Sequence, residues 1–306
     1  LEAQLQNMPQ VSPRVKIIQT IGSSKVTIDY GSPGVRGRQI WGKLVPYGLT
    51  KFGFGNNKPA PWRAGANLNT VFTISHDAKI NGQFLPAGSY GLHMITSRSA
   101  WTVIFSRNYT SWGSFFYEES EDALRIQVSP KKVHFKEWLA YGFDNYTLNS
   151  AEAYLHWEKL KVPFKVEFDT KKITMQNIKN QLRSTAGFSW QGSYQAALNC
   201  LQTNTNLEQG LIWIRRSIAM NENANNVNIH GYLLMAAGKK TEAIEVFRAN
   251  VRKFPKNWNL YDSLGENLVK VGKTKEGIKF YQKALKMAPK AQKPRIENIL
   301  SKFKKK

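Results

Sequence analysis

Tyr30, Arg36, Arg38, Trp41, Trp62, Arg63 and Asn67 are the residues of this sequence whose types suit joint work on a ligand. Arginine offers a planar fork of N–H donors that fits a carboxylate, phosphate or sulfate, and tryptophan offers a flat apolar face for a sugar ring or a cation. Three of the seven fall in "PAPWRAGANLNT", residues 59–70, where two readings compete. In one, a loop on a rigid scaffold binds a ligand. In the other, Trp41 and Trp62 plug the end of a domain, glycines admit positive φ, and Arg63 donates to loop carbonyls. The second reading takes precedence, because buried aromatic residues ordinarily serve packing.

Catalytic constellations are sparse. The sequence has no G-x-S-x-G elbow, no H-E-x-x-H and no G-x-x-x-x-G-K loop for phosphates. His76, His93, His134, His156 and His230 stand singly, and His156 is expected on a solvated strand face beside Glu152 and Glu158. His76 and His93 converging on a metal would need a third donor that the sequence does not supply. The acidic run "EESED", residues 118–122, lacks the alternating oxygen spacing of a calcium loop and reads as a solvated turn. The single cysteine, Cys200, excludes an intrachain disulfide and a cysteine metal cluster. The expectation is therefore no cofactor, no metal and no catalytic residue. A rival reading is a carbohydrate-active or other hydrolytic enzyme that uses the Trp62, Arg63 and Asn67 loop with Tyr30 and an acid such as Asp29 or Asp144.

Those residues need elements to position them, and the chain's hydrophobic rhythm supplies two kinds. From Val15 to about Asp169 apolar residues alternate: Val26, Ile28 and Tyr30; Trp101, Val103 and Phe105; Leu124, Ile126 and Val128; Leu155 and Trp157; Val162, Phe164, Val166 and Phe168. Asn81-Gly82 is a strong two-residue hairpin signal. Nine or ten short strands of this kind predict an antiparallel β-sandwich or jelly roll. After Asp169 the period becomes helical. Gly231 and Gly265, Leu234 and Leu268, Gly238 and Gly272, Glu242 and Glu276, Ile244 and Ile278, Phe247 and Tyr281, and Pro255 and Pro289 all stand 34 residues apart, which predicts tetratricopeptide-type helical repeats. A degenerate third unit spans about 194–221. The expected organisation is an N-terminal extension at 1–13, a β-sandwich domain at 14–170, a linker helix at 171–188 and about three repeats with a basic tail at 189–306.

Charge separates the two parts further. Residues 1–170 carry 19 basic and 13 acidic side chains, net +6, whereas residues 171–306 carry 25 and 8, net +17. Such a field attracts anionic surfaces without choosing among them. Lys275, Lys279 and Lys283, with the "KFKKK" terminus, are candidates for partner contact, and equally for the soluble outer face that a repeat stack requires. Nucleic acid is disfavoured, because no recognised module or interleaved aromatic residues accompany the lysines. No run of about 18 apolar residues is present, so no membrane-spanning helix is expected.

The stretches "QTIGSSKVTIDYGSPGVRGRQIWGKLVPYG", "WRAGAN", "LPAGSYGLHMI", "WTVIFSRN" and "SWGSFFYEESEDALRIQV" together resemble the bacterial domain-of-unknown-function family 2911 over about residues 10–170. The resemblance implies a β-rich domain, usually exported to the envelope of Gram-negative bacteria, without an established activity. Two departures stand out against the family pattern. "LTKFGFGNNKPAP" is inserted between "VPYG" and "WR", and Leu68 follows "GAN" where that pattern often has Glu. The insertion makes Phe52 and Phe54 candidate partner contacts. The first residues, "LEAQLQNMPQ", read as a processed start with any export signal removed. The resulting expectation is a non-enzymatic periplasmic or envelope protein, a binding or scaffolding subunit whose repeats hold a protein partner within a larger membrane-associated complex. Anionic glycan or lipid headgroups are further candidate ligands, and electrostatic binding of an anionic polymer is a third reading.

Overall fold

The structure, a computed structural model, describes residues 9–304. The expected processed start at residues 1–8 and the last two lysines of "KFKKK" lie outside the described residues. The chain divides into two compact units, Leu1–Met175 and Gln176–Lys306.

In the first unit the alternating stretches become ten antiparallel strands among the described residues. They are β1 (Arg14–Ile21), β2 (Ser24–Gly31), β3 (Val71–Ile74), β4 (Ala78–Ile80), β5 (Gln83–Leu85), β6 (Gly88–Ile95), β7 (Trp101–Ser106), β8 (Asp122–Val128), β9 (Lys131–Asp144) and β10 (Ser150–Phe168). One sheet has the order β1-β2-β3-β6-β7-β8 and the other β5-β4-β10-β9. Every second residue of each strand points to one side, so the two inner faces meet in a shared core. Phe164 of β10 meets Phe72 of β3 at 5.9 Å and Phe105 of β7 at 5.8 Å, across the sandwich. Asn81 and Gly82 turn β4 into β5 with φ of 46° and 84°, left-handed at both central positions as a two-residue hairpin requires.

His156 departs from the sequence expectation. Leu155, His156 and Trp157 are all buried, because the β9–β10 register shifts between His156 and Glu158 and Glu158 takes φ 54°. Such a bulge re-aims side chains that simple alternation would place outside. His156 Nε2 then donates to the His134 carbonyl at 3.0 Å. The acidic run is likewise not wholly solvated: Asp122 opens β8 and accepts from Tyr117 Oη at 2.7 Å and Arg125 Nε at 2.6 Å.

After α1 (Thr170–Gln181), whose Ile173 joins the sandwich core, the second unit runs through α2 (Trp190–Thr203), α3 (Leu207–Met220), α4 (Ala224–Ala236), α5 (Lys240–Lys253), α6 (Trp258–Lys270), α7 (Thr274–Met287) and α8 (Lys293–Lys304). The 34-residue spacing acquires a physical meaning here. Buried Phe247 of α5 lies against Gly231 of α4, and buried Tyr281 of α7 lies against Gly265 of α6. At the α6–α7 crossing the backbones themselves approach, so a Cβ on Gly277 would lie 2.7 Å from the Gly265 carbonyl oxygen and 2.7 Å from Val269 Cγ2. Alanine is the better helix former by about 1 kcal/mol. A clash with main chain cannot be relieved by a rotamer change, and overpacking costs about 1–3 kcal/mol. Gly277→Ala is therefore expected to destabilise the repeat unit by up to about 2 kcal/mol despite its propensity gain. Urea titration followed by far-UV circular dichroism checks this; a midpoint shifted upward would contradict the close crossing.

Candidate functional site

Residues 59–70 run beside β6 in the place that β3 has not yet reached. Trp62 and Met94 exchange both backbone hydrogen bonds at 2.9 and 2.8 Å, and Leu92 N–H donates to the Thr70 carbonyl at 2.8 Å. The chain then turns through Ala64 and Asn67, at φ 49° and 63°. This costly conformation is over-determined by its neighbours. The Ala64 carbonyl accepts from Thr70 Oγ1 at 3.1 Å and Tyr141 Oη at 2.8 Å, and Ala66 N–H donates to the Gly31 carbonyl at 3.2 Å.

The candidate ligand residues spend their polar groups on this architecture. Arg63 Nη1 donates to the Asn67 carbonyl, and burial lowers the Arg63 pKa. Asn67 Nδ2 donates to Gln10 Oε1 at 2.9 Å and the Ser12 carbonyl at 3.2 Å. Arg36 donates to the Val11 carbonyl at 2.8 Å and lies over Trp138; Arg38 donates to the carbonyls of Val35 and Gly34 at 3.1 and 2.6 Å. Tyr30 is buried, its hydroxyl accepts from Tyr141 N–H at 3.2 Å, and burial raises its pKa. Trp41 and Trp62 come together, 5.9 Å apart, and both pack on Trp157 at 5.8 and 6.0 Å, with Trp101 4.9 Å from Trp41. The seven residues thus form a tryptophan plug and a braced corner, with no guanidinium left aimed at a common point.

Beside this corner two loops build an aromatic platform. Phe115 is its hub: Phe52, Phe54 and Trp112 approach it at 5.6, 5.8 and 5.3 Å, and the Arg63 guanidinium lies 4.8 Å from its ring centre. The insertion holds the second loop in place, through Asn56 N–H to the Phe115 carbonyl at 3.0 Å and Lys58 to Glu118 at 2.7 Å. Phe54, Trp112 and Phe116 remain 71%, 62% and 57% exposed. Large apolar side chains gathered in one exposed patch mark an interaction surface. The insertion makes Phe52 and Phe54 legible as candidates in the sequence; for Trp112, Phe115 and Phe116 the signal is "SWGSFFY", which gathers four aromatic residues in a glycine-containing loop.

His134 and His156, expected to stand singly, meet edge-on with ring centres 4.9 Å apart, but His76 and His93 do not converge. His76 Nδ1 bonds Ser75 and Ser24 hydroxyls at 2.9 and 3.2 Å, whereas fully enclosed His93 bonds Ser114 Oγ at 3.0 Å, and burial together with Arg63 pushes its pKa down to about 3. No group of three or more His, Cys, Asp or Glu suited to a metal ion occurs among the described residues.

In the second unit, equivalent positions of successive repeats form a polar row. On α4 it comprises Asn225, Asn228 and Tyr232; on α6, 34 residues later, Asn259, Asp262 and Glu266. Spacings of three and four residues put each trio on one helix face. Asn228 Nδ2 donates to Ser263 Oγ at 3.1 Å, Tyr232 Oη donates to Glu266 Oε2 at 2.8 Å, and Arg295 of α8 donates to Asp262 Oδ2 at 2.7 Å. Asn228 and Asp262 are each only 7% exposed, yet Asn228 Oδ1 and Asp262 Oδ1 are buried acceptors without a donor among the described residues. Burial raises the Asp262 pKa in spite of Arg295. The repeat spacing is the sequence signal for this row. Lys275, Lys279 and Lys283 are exposed on α7, and Lys283 lies 4.4 Å over the ring of Tyr261.

A family model described as "Protein of unknown function (DUF2911)" matches residues 12–166. No curated protein matches. Among solved structures, the Yersinia enterocolitica type III secretion translocator chaperone SycD is similar at 17% identity over 37% of this chain and 87% of its own, with a TM-score of 0.34. MamA is similar at 19% identity over 39% of this chain and 69% of its own, TM-score 0.34. PcrH, crystallised with the chaperone-binding region of PopB, is similar at 12% identity over 36% of this chain and 94% of its own, TM-score 0.34.

Proposed function

We propose, for a chain that belongs to the DUF2911 family of unknown function through residues 12–166, that it is a binding or scaffolding protein of the cell envelope. Its repeat unit holds an extended segment of a partner protein along the polar row of α4, α6 and α8. Its sandwich docks elsewhere through the aromatic platform of Phe54, Trp112 and Phe115. The observation that carries the reading is the repeat of polar residues at equivalent positions of adjacent repeats, with Asn225 and Asn259 exposed and Asn228 and Asp262 one helical turn further on. Main-chain N–H and C=O groups of an extended peptide recur along its length and suit exposed side-chain amides that recur from helix to helix. Stacked helical repeats offer such faces as grooves for peptides. The envelope placement is supported by the family resemblance.

A photoreactive phenylalanine analogue placed in native cells at exposed Asn225 or Asn259, and at exposed Lys279 as control, tests this. Cross-linked adducts are expected from Asn225 and Asn259, in the envelope fraction, and not from Lys279. Adducts from all three positions alike, or from none, refute the groove; adducts confined to the cytosolic fraction refute the placement.

A further inference from the structure

The turn between α5 and α6 borders a surface cleft of about 610 Å³, lined by Phe254, Pro255, Asn257 and Trp258 on one side of the repeat and by Ala224 at the start of α4, with Lys253 and Lys256. Its origin is a difference between repeats. Ala224 and Trp258 stand 34 residues apart and so occupy the same repeat position, but the earlier one carries only a methyl group. The space that a large side chain at 224 would take is left open next to an indole, a phenyl ring and a proline. The volume falls within the range of small-ligand sites, about 300–1,000 Å³.

Charge selects the occupant. Lys253 is paired with Glu222, whereas exposed Lys256 has no carboxylate partner among the described residues. The surrounding half of the chain, residues 171–306, carries 25 basic against 8 acidic side chains. A basic segment is repelled from such a rim, and a purely apolar one leaves Lys256 unused.

The geometry points to this cleft as a second binding site, which takes a peptide segment presenting one large apolar side chain flanked by carboxylates. The site deepens the protein-binding reading and rests on it, but lies on other residues than the polar row. The apolar side chain enters between Trp258 and Ala224, and a flanking carboxylate meets Lys256. An aromatic or aliphatic anchor in a pocket with a charged rim is the ordinary division of labour at a protein interface.

The test is fluorescence anisotropy of the full chain with a dye-labelled synthetic peptide that has a central phenylalanine flanked by aspartates. Saturable binding is expected, weakened about fivefold or more by Ala224→Leu, which fills the cleft, and by Lys256→Glu, which reverses its rim. Lys286→Glu, the same charge reversal at an exposed position that does not line the cleft, leaves this affinity unchanged, and a lysine-flanked peptide binds about tenfold more weakly. Circular dichroism of each variant confirms that the helices persist; should Ala224→Leu unfold them, Lys256→Glu on the exposed rim decides alone. Equal affinity of wild type and Lys256→Glu, equal binding of the lysine-flanked peptide, or tighter binding of an oligothymidylate than of the acidic peptide would each overturn the assignment. Cross-links at Asn225 and Asn259 without acidic-peptide binding remove the cleft and keep the groove; the converse result removes the groove and keeps the cleft.

Discussion

His93→Gln is expected to flatten the acid side of the sandwich's stability profile. His93 lies in β6, 2% exposed, with Nδ1 on Ser114 Oγ and the Arg63 charge nearby. Burial first, then Arg63, lowers its pKa from 6.5 to about 3. The unfolded chain takes up the proton near pH 6.5 while the folded chain refuses it until about pH 3. Between those values the unfolded state binds more protons, so stability falls as pH falls; above pH 6.5 the histidine exacts no penalty. At about 1.4 kcal/mol per pH unit, the loss is about 2 kcal/mol by pH 5 and about 4–5 kcal/mol by pH 3. Glutamine retains a polar group for Ser114 and cannot take up the proton. Urea titrations at neutral, mildly acidic and acidic pH measure the difference between wild type and variant. That difference isolates His93 from His156, whose pKa is also lowered by burial. Parallel acid limbs for the two proteins would rule out the enclosed neutral imidazole.

Trp157→Ala carries the other large effect. Trp157 is 1% exposed, stacks on Trp62, meets Trp41 edge-on and donates through Nε1 to the Glu137 carbonyl at 3.2 Å. Truncating a buried tryptophan removes its burial and leaves a cavity, at a cost of about 3–5 kcal/mol. Because Trp62 lies in the corner at residues 59–70, loss of its stacking partner also loosens that corner. Trp112→Ala serves as the contrast. Trp112 is 62% exposed, so its removal changes folding stability by about 0.5 kcal/mol or less, and any loss there appears in docking. Thermal melts followed in the near and far ultraviolet separate the two: Trp157→Ala lowers the sandwich transition and alters the tryptophan signal, and Trp112→Ala leaves the transition in place. Equal and small shifts from both would show that the tryptophan plug does not hold the corner.

These outcomes bear on how "PAPWRAGANLNT" is read. Its Arg and Asn are residue types that bind ligands on many loops, but here Arg63 and Asn67 are consumed by carbonyls and by Gln10. The exposed aromatic side chains lie on neighbouring loops, Phe54 in the insertion and Trp112 and Phe116 in "SWGSFFY".

Secondary structure and repeat spacing were legible in the sequence, because the first depends on residues a few positions apart and the second on a fixed offset of 34 along the chain. Alternation of apolar residues marked β2, β7, β8 and β10, and the 34-residue pairs marked α4 to α7. The family membership was likewise carried by motifs in order along the chain. Tertiary structure alone decided which distant residues meet. Trp41, Trp62, Trp101 and Trp157 become one plug only through strand order and register, and the register shifts on either side of Glu158 reverse the expected exposure of His156. Likewise, an alanine at 224 becomes the wall of a cleft only when α4 and α6 are stacked. Periodicity fixes which face of an element is apolar, whereas contacts between elements depend on how those faces are brought into register, and that information is spread over the whole fold.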